Sequence, residues 1–146
     1  MTKQLTLIRI LFIFLLVTLI GGCKKNKDYP LPSVPFDFTI DLSLPSYQPV
    51  SAVGGWCYVA GGLKGIIVYR RGVDEFVVWE RQSPEDPNGV CADGLIPKDA
   101  NFLEMEDPCS DAVFSMYDGS PLQNSEWGLR QYRYEWNGAN VLRLYN

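Results

Sequence analysis

The alternation of apolar and polar residues along the chain predicts β-strands. In residues 36–44 every second position is apolar, and a period of two is typical of a half-buried strand. The residues on this apolar face are Phe36, Phe38, Ile40, Leu42 and Leu44. Further along, the apolar stretch "GGWCYVAGG" lies between paired glycines, and we expect Cys57 within it to be a buried strand residue.

Two β-hairpins follow from the same kind of pattern. "GIIVYRR" and "EFVVWERQ" are rich in β-branched and aromatic residues, and only "GVD" separates them. Near the end of the chain Tyr132, Tyr134 and Trp136 alternate with polar residues, and the dipeptide Asn-Gly precedes a second apolar stretch that starts at Val141. Asn-Gly between two alternating stretches is a strong signal for a hairpin turn.

The remaining segments predict loops. Residues 83–97 contain three prolines and two glycines, which favour turns and irregular structure. We find no convincing helical period after residue 22. The prediction is therefore an all-β domain over residues 36–146, with long loops in its second half.

The first residues have the pattern of a secretory signal. Lys3 and Arg9 precede the apolar segment "ILFIFLLVTLI", which is shorter than the roughly 20 residues that span a bilayer as a helix. "LIGGC" at the end of this segment resembles the cleavage box of bacterial lipoproteins. The resemblance implies a signal peptide over residues 1–22 and lipid attached to Cys23, which several acyl chains would hold stably in a membrane.

Residues 23–35 are predicted to tether the domain to this lipid. Their second half is rich in proline, which favours an extended, semi-rigid chain. Lysines at positions 24, 25 and 27 favour an anionic membrane surface, and no acidic run follows Cys23. We expect a lipid-anchored protein of the bacterial cell envelope that faces the periplasm. Whether the inner or the outer membrane holds it stays open.

Charge and composition exclude several functions. Cleavage after residue 22 would remove Lys3 and Arg9 from the 13 basic residues and none of the 17 acidic ones, so that the net charge goes from −4 to −6. An acidic chain of this kind argues against nucleic acid as a partner. The chain contains no histidine, which excludes Ser-His-Asp and Cys-His catalysis and most zinc sites. We therefore do not expect an enzyme.

Carboxylates offer one further possibility. Asp107, Asp111 and Asp118 lie close in sequence, and calcium needs several oxygen ligands. Their spacing matches no calcium-loop motif, so surface carboxylates are the favoured interpretation. We predict no metal ligands among them.

Three cysteines remain if lipid occupies Cys23. An extracytoplasmic compartment permits disulfides, and three cysteines allow one bridge and one free thiol. Because Cys57 is expected to be buried in a strand, Cys91 and Cys109 are the favoured pair. The spacing alone does not establish this pairing.

From about residue 54 to residue 146 the chain resembles Rieske-type domains, in particular small lipoprotein members of that superfamily. "GGLKGIIVYRRGVDEFVVWERQSP" is similar to the hairpin before the family's first ligand loop. "DPCSDAVFSMYDGSPL" is similar to the second loop, and "LRQYRYEWNGANVLRLYN" to the closing hairpin. The resemblance implies an all-β sandwich or barrel in which two loops hold a [2Fe-2S] cluster through two cysteines and two histidines.

The four positions that would hold the cluster depart from the family pattern. In the first loop Ser83 stands in place of cysteine and Glu85 in place of histidine. In the second loop, aligned on Phe114, Asp107 and Ser110 occupy the ligand positions. Cys109 then falls on the family's structural cysteine, and a bridge to Cys91 would tie the two loops together as the family's disulfide does.

These departures predict a domain that has lost its cluster. Without histidine the Cys₂His₂ set cannot form, and serine and carboxylate are hard ligands at a site for soft ones. We expect no cofactor and a structural or binding role, with a protein as a possible partner. The alternatives are an iron–sulfur electron-transfer protein of the Rieske type and an unrelated β-sandwich lipoprotein that binds a ligand or a protein.

Overall fold

The structure is a computed structural model, and it describes Gln4 and residues 27–98 and 101–146. The rest of the predicted signal peptide lies outside the described residues, and so does Cys23 with the residues up to 26. No helix in the described part of the chain is long and apolar enough to cross a membrane.

The described residues form ten β-strands and one short 3₁₀ helix, which confirms the prediction of an all-β domain. The strands are β1 (Asp37–Asp41), β2 (Trp56–Val59), β3 (Ile66–Gly72), β4 (Glu75–Glu80), β5 (Ile96–Lys98), β6 (Asn101–Glu106), β7 (Val113–Ser115), β8 (Pro121–Gln123), β9 (Arg133–Trp136) and β10 (Val141–Tyr145). The 3₁₀ helix spans Gln48–Ser51 between β1 and β2.

The strands are arranged in three antiparallel sheets. The first sheet has the order β1-β10-β9, the second β2-β3-β4 and the third β5-β6-β7-β8. Backbone hydrogen bonds also join β4 to the segment before β9: the N–H of Glu80 donates to the carbonyl of Arg130 at 3.0 Å, and that of Tyr132 to Val78 at 2.8 Å. The first and second sheets are thus connected beside the end of β4.

Both predicted hairpins are present. In the first, β3 and β4 pair with Val68 opposite Val78. In the second, β9 and β10 pair with Leu144 opposite Tyr134, and Gly138 has a φ of 80°, which suits glycine in a tight turn. The Asn137 side chain completes this turn by accepting hydrogen bonds from two backbone N–H groups.

The first strand is shorter than the alternation suggested. The backbone N–H and the hydroxyl of Ser43 both donate to Oδ1 of Asp41, at 2.9 and 2.7 Å. This side-chain turn ends β1 at Asp41. Leu44 lies beyond the turn and is half exposed, so its predicted place on the buried face is wrong.

The prediction of long loops in the second half holds for residues 81–95, but the third sheet also lies in this half of the chain. Three of its four strands have three residues each. A strand this short shows at most one alternation of apolar and polar residues, so a periodicity argument cannot recognise it.

The second sheet contributes to two separate hydrophobic cores. Val68, Phe76 and Val78 pack with residues of the first sheet such as Leu142 and Leu144. The alternate residues of β3 and β4 belong to a second core, and they are Ile67, Tyr69, Val77 and Trp79. This core also contains Met105, Phe114 and Met116, which lie in or next to the third sheet. Burial on both faces explains why β3 and β4 are continuously apolar instead of alternating.

Residues 27–35, which belong to the predicted tether, lie against the domain. Leu31 is buried, and the hydroxyl of Tyr29 donates to the carbonyl of Gly128 at 3.0 Å. The ring of Tyr29 also packs edge-on against Trp127 and under the guanidinium of Arg130. The four tryptophans of the chain are all buried or half-buried, as expected for packing residues.

Candidate functional site

Two loops joined by a disulfide form the candidate site, which we call the two-loop tip. The first loop, residues 81–95, connects β4 to β5, and the second loop, residues 107–112, connects β6 to β7. Cys91 and Cys109 are bonded, with their Cα atoms 6.0 Å apart. This is the pair that was favoured from the sequence.

Asp86 organises the first loop. Its carboxylate accepts hydrogen bonds from the backbone N–H groups of Val90 and Cys91, at 2.8 and 3.0 Å. It also forms an ion pair of 2.8 Å with Lys64, whose side chain is largely buried. Burial raises the pKa of Asp86, but the hydrogen bonds from Lys64 and from the two N–H groups outweigh it, so the net shift is downward. The backbone around Cys91 is therefore held by a charged carboxylate.

Asp107 organises the second loop in a similar way. Its Oδ1 accepts the backbone N–H of Cys109 at 2.9 Å, and its Oδ2 accepts the hydroxyl of Ser110 at 2.6 Å. Its own N–H donates to the carbonyl of Ala112 at 2.9 Å. An aspartate that accepts the N–H two residues ahead forms a compact side-chain turn, which fixes the backbone on which Cys109 sits.

Three of the four positions that the family resemblance gives to cluster ligands lie close together in this tip. Ser83 and Asp107 are both buried, and the hydroxyl of Ser110 donates to the Asp107 carboxylate at 2.6 Å. Ser83 Oγ in turn accepts the N–H of Glu85 at 3.2 Å. Burial raises the pKa of Asp107, but the hydroxyls of Ser110 and Ser83 and the N–H of Cys109 outweigh this effect. The net shift of the pKa is therefore downward.

Glu85, the fourth position, lies apart from this cluster. Its side chain is exposed and accepts a hydrogen bond of 2.6 Å from the hydroxyl of Ser125. The structure thus brings Ser83, Asp107 and Ser110 together and directs Glu85 to the segment before β9.

The residues of the tip do not fit a [2Fe-2S] cluster. The two cysteines are bonded to each other, and the Asp107 carboxylate already accepts the hydroxyl of Ser110 and the N–H of Cys109. No histidine exists in the sequence to supply a nitrogen ligand.

The aspartates that were considered for calcium do not converge. Asp118 lies in the turn between β7 and β8, where it accepts the N–H and the hydroxyl of Ser120. Within the described part of the chain, Cys91, Asp107 and Cys109 form the only group of three or more acidic or cysteine side chains close enough for one ion. Asp111 and Asp118 are not part of it.

Cys57 lies in β2 and is buried, as predicted, and it has a free thiol. Burial raises the pKa of this thiol to about 12. A neutral thiol is a poor nucleophile and a poor metal ligand, so Cys57 is a packing residue.

Sequence reasoning missed Glu80, the one fully buried acidic residue among the described residues. Its carboxylate accepts the backbone N–H groups of Leu63, Lys64 and Gln82, at 2.7, 3.0 and 2.7 Å, and the hydroxyl of Tyr132 at 2.7 Å. It fixes the base of the first loop. The signal in the sequence is an acidic residue that ends the otherwise apolar stretch "FVVWE".

Comparisons with known proteins find few matches. No protein-family model matches the chain, and no curated protein matches it. Among solved structures, the chain is similar to a Mycobacterium tuberculosis protein described as a putative NADH-dependent nitrite reductase small subunit. The match has 12% sequence identity and a TM-score of 0.46, and it covers 78% of this chain and 97% of the other.

Proposed function

We propose that the protein is a lipid-anchored lipoprotein of the bacterial cell envelope whose Rieske-like domain holds no cluster and serves a structural or binding role. In this proposal Cys23 carries the lipid, the domain faces the periplasm, and the two-loop tip contacts a protein partner. The protein transfers no electrons and catalyses no reaction.

The cluster of hydroxyls around Asp107 is the observation that carries the proposal. At the positions where a Rieske-type domain needs soft thiolate and imidazole ligands, this chain has serine, aspartate and glutamate. The Asp107 carboxylate accepts the hydroxyl of Ser110 and the N–H of Cys109, so that it is already paired within the tip. Internal hydrogen bonds of this kind make the tip rigid, and they provide no group for redox chemistry.

The disulfide supports the same interpretation. A bound cluster would cross-link the two loops, and the bond between Cys91 and Cys109 makes that connection covalently. The carboxylate of Asp86 accepts the backbone N–H of Cys91, and that of Asp107 accepts the N–H of Cys109. The backbone is therefore held on both sides of the disulfide.

The absence of a cluster can be tested with purified protein. We expect no visible absorption bands, no stoichiometric iron and no acid-labile sulfide after expression with active iron–sulfur assembly. Bands together with about two iron atoms per chain would support the electron-transfer alternative instead.

The lipid anchor needs a separate test. Mass spectrometry of the protein from a bacterial membrane fraction should find acyl chains on an N-terminal Cys23, and a Cys23→Ala variant should keep residues 1–22 and lack lipid. A mature N-terminus at any other residue would contradict the anchor.

A partner at the tip can be sought by photo-crosslinking in cells. Val90 is 83% exposed and adjoins Cys91, so a photoreactive residue at this position would capture a protein that contacts the tip. Val73 is a matched control, because it is 71% exposed in the distant β3–β4 turn. Identification of one envelope protein from position 90 and not from position 73 supports the proposal. Equal capture from both positions contradicts a partner at the tip.

A further inference from the structure

Three potential metal ligands lie close together in the two-loop tip. The Sγ atoms of Cys91 and Cys109 and a carboxylate oxygen of Asp107 are all within 4.8 Å of one another. In the oxidised protein both sulfurs belong to the disulfide and cannot act as thiolates. Reduction of this one bond would create two thiols next to a carboxylate that is already in place.

We propose that reduction of the Cys91–Cys109 disulfide turns the two-loop tip into a site for one zinc ion, with the two thiolates and the Asp107 carboxylate as ligands. The fourth position belongs to water. This site uses different ligands and a different metal from a [2Fe-2S] cluster, and it depends on the geometry of the tip rather than on the proposed function above.

The ligand set suits zinc. Thiolate and carboxylate are both common zinc ligands, with Zn–S distances of about 2.3 Å, and three protein ligands with one water form an open tetrahedral site. Two sulfurs on one tetrahedral zinc are about 3.8 Å apart by this geometry, so the sulfurs of the disulfide have to separate by about 2 Å. A change of this size needs side-chain rotation and little backbone movement.

The backbone on both sides of the site is held independently of the disulfide. Asp86 accepts the N–H of Cys91, and Asp107 accepts the N–H of Cys109. The hydroxyl of Ser110 orients the Asp107 carboxylate, as outer hydrogen-bond partners do around metal ligands. We therefore expect the three ligands to stay near one another after reduction.

Reductant and metal can both reach the site. Cys109 is exposed, whereas Cys91 and Asp107 are buried behind it. A cleft of about 420 Å³ also opens beside Asp107, with Glu106, Asp111 and Lys98 in its wall. This cleft gives an ion from solvent a route to the Asp107 carboxylate.

The chemistry requires a two-electron reductant, which we name as a phosphine or a dithiol. A phosphine takes up the oxygen of one water molecule, its two electrons break the S–S bond, and the two hydrogens of the water end on the two sulfurs. Binding of Zn²⁺ then replaces these two thiol protons, which are released to solvent. A dithiol reacts with the same outcome and becomes a disulfide itself.

Cobalt(II) is a suitable probe, because a site with thiolate ligands gives it sulfur-to-metal charge-transfer absorption. The experiment uses the purified full chain with Cys23→Ser in detergent, with and without a phosphine that binds metals weakly. We expect the reduced chain to bind one Co²⁺, which Zn²⁺ then displaces, and the oxidised chain to show no such absorption. Equal absorption by both forms, or none by the reduced form, would overturn the proposal.

Asp107→Asn and Asp111→Asn are a matched pair of variants for this titration. They remove the same charge from the same loop, but Asp111 is outside the proposed ligand set. We expect Asp107→Asn to weaken binding by at least about tenfold, since even outer partners of metal ligands have effects of this size. Asp111→Asn should bind as the unsubstituted chain does. If Asp107→Asn binds equally well, or if Cys57→Ala abolishes binding, the assigned ligands are wrong.

Circular dichroism covers the case in which reduction unfolds the chain. Recovery of the β-sheet spectrum on addition of Zn²⁺ supports the site, because metal binding then drives folding. A reduced chain that stays unfolded with Zn²⁺ present overturns it.

Discussion

The hydroxyl of Tyr132 donates a hydrogen bond of 2.7 Å to Glu80, which lies 52 residues earlier and is fully buried. The backbone N–H groups of Leu63, Lys64 and Gln82 donate to the same carboxylate. One side chain therefore joins the β2–β3 loop, the end of β4 and the segment before β9, at the base of the two-loop tip.

Removal of the Glu80 carboxylate should be severely destabilising. Glu80→Ala leaves two buried and two partly buried donors without this acceptor, and we expect the free energy of unfolding in urea to fall by at least about 3 kcal/mol. Tyr132→Phe removes a single hydrogen bond to a charged group and should cost about 2 kcal/mol. The matched control is Tyr145→Phe, whose hydroxyl contacts the exposed Glu135 at 3.4 Å and should contribute less than about 0.5 kcal/mol. Equal effects of the two tyrosine variants would contradict the importance of the buried carboxylate.

Gly62 lies against the same carboxylate and should not tolerate a side chain. A Cβ at this position would be 2.3 Å from Oε2 of Glu80, whereas a Cβ at Gly138 would meet nothing within 4 Å. Both glycines have positive φ, 63° and 80°, so alanine is strained by about 1 kcal/mol at either position. We expect Gly62→Ala to lower the melting temperature clearly more than Gly138→Ala. Similar melting temperatures for the two variants would show that Glu80 moves aside easily.

The disulfide should contribute about 3 kcal/mol to stability, as expected for a loop closed over 18 residues. Denaturant unfolding of the unsubstituted chain with and without a phosphine measures this contribution, and metal chelators exclude an effect of bound ions. The Cys91→Ala/Cys109→Ala double variant is the control, because the phosphine should not change its stability. Mass spectrometry without reduction that finds free thiols at both cysteines would disprove the bond itself.

Leu31 tests whether the described part of the predicted tether belongs to the folded domain. This side chain is only 3% exposed, although it precedes β1 by several residues. Leu31→Ala should cost about 2 kcal/mol or more in urea unfolding, as for other buried leucines. Leu44→Ala is the matched control, since Leu44 is 50% exposed and should change stability by less than about 0.5 kcal/mol. If Leu31→Ala does not change the free energy of unfolding, the segment around Leu31 only lies on the surface of the domain.

The sequence was most informative where local pattern decides structure. The β3–β4 hairpin follows from two short apolar stretches and the β9–β10 hairpin from alternating residues before Asn-Gly, and both hairpins are present in the fold. The disulfide pair could be favoured because the third cysteine lies in an apolar stretch. The third sheet was not predicted, because strands of three residues show too little alternation of apolar and polar positions.

Long-range polar contacts were the other part that could not be predicted. Glu80 bonds to residues 16, 17 and 52 positions away, and Asp86 pairs with Lys64 across 22 residues. The acidic end of "FVVWE" is a local sign for Glu80, but it does not identify the donors, which lie in other segments of the chain. Ser83 and Asp107 could be named from a family resemblance, but the fold was needed to show that both side chains are buried.

Acid should destabilise the protein partly through Asp107. Its pKa is lower in the folded chain than the value of about 3.9 for an unperturbed aspartate, because hydrogen bonds from Ser110, Ser83 and the Cys109 N–H outweigh its burial. A group with a lowered folded pKa contributes stability that is fully present above the unfolded pKa and is lost as the pH falls through the folded pKa. The contribution should therefore be constant near neutral pH and decline below about pH 4.

Asp107→Asn isolates this contribution. At neutral pH the variant loses hydrogen bonds to a charged acceptor and should be less stable than the unsubstituted chain by about 2 kcal/mol. Below about pH 4 the two unfolding free energies should converge, because protonation removes the same charge from the unsubstituted chain. Asp111→Asn is the control: Asp111 is exposed and has a φ of 56°, a conformation that asparagine adopts as readily. A constant difference between the Asp107→Asn variant and the unsubstituted chain from pH 7 to pH 2 would mean that the charge of Asp107 does not stabilise the tip.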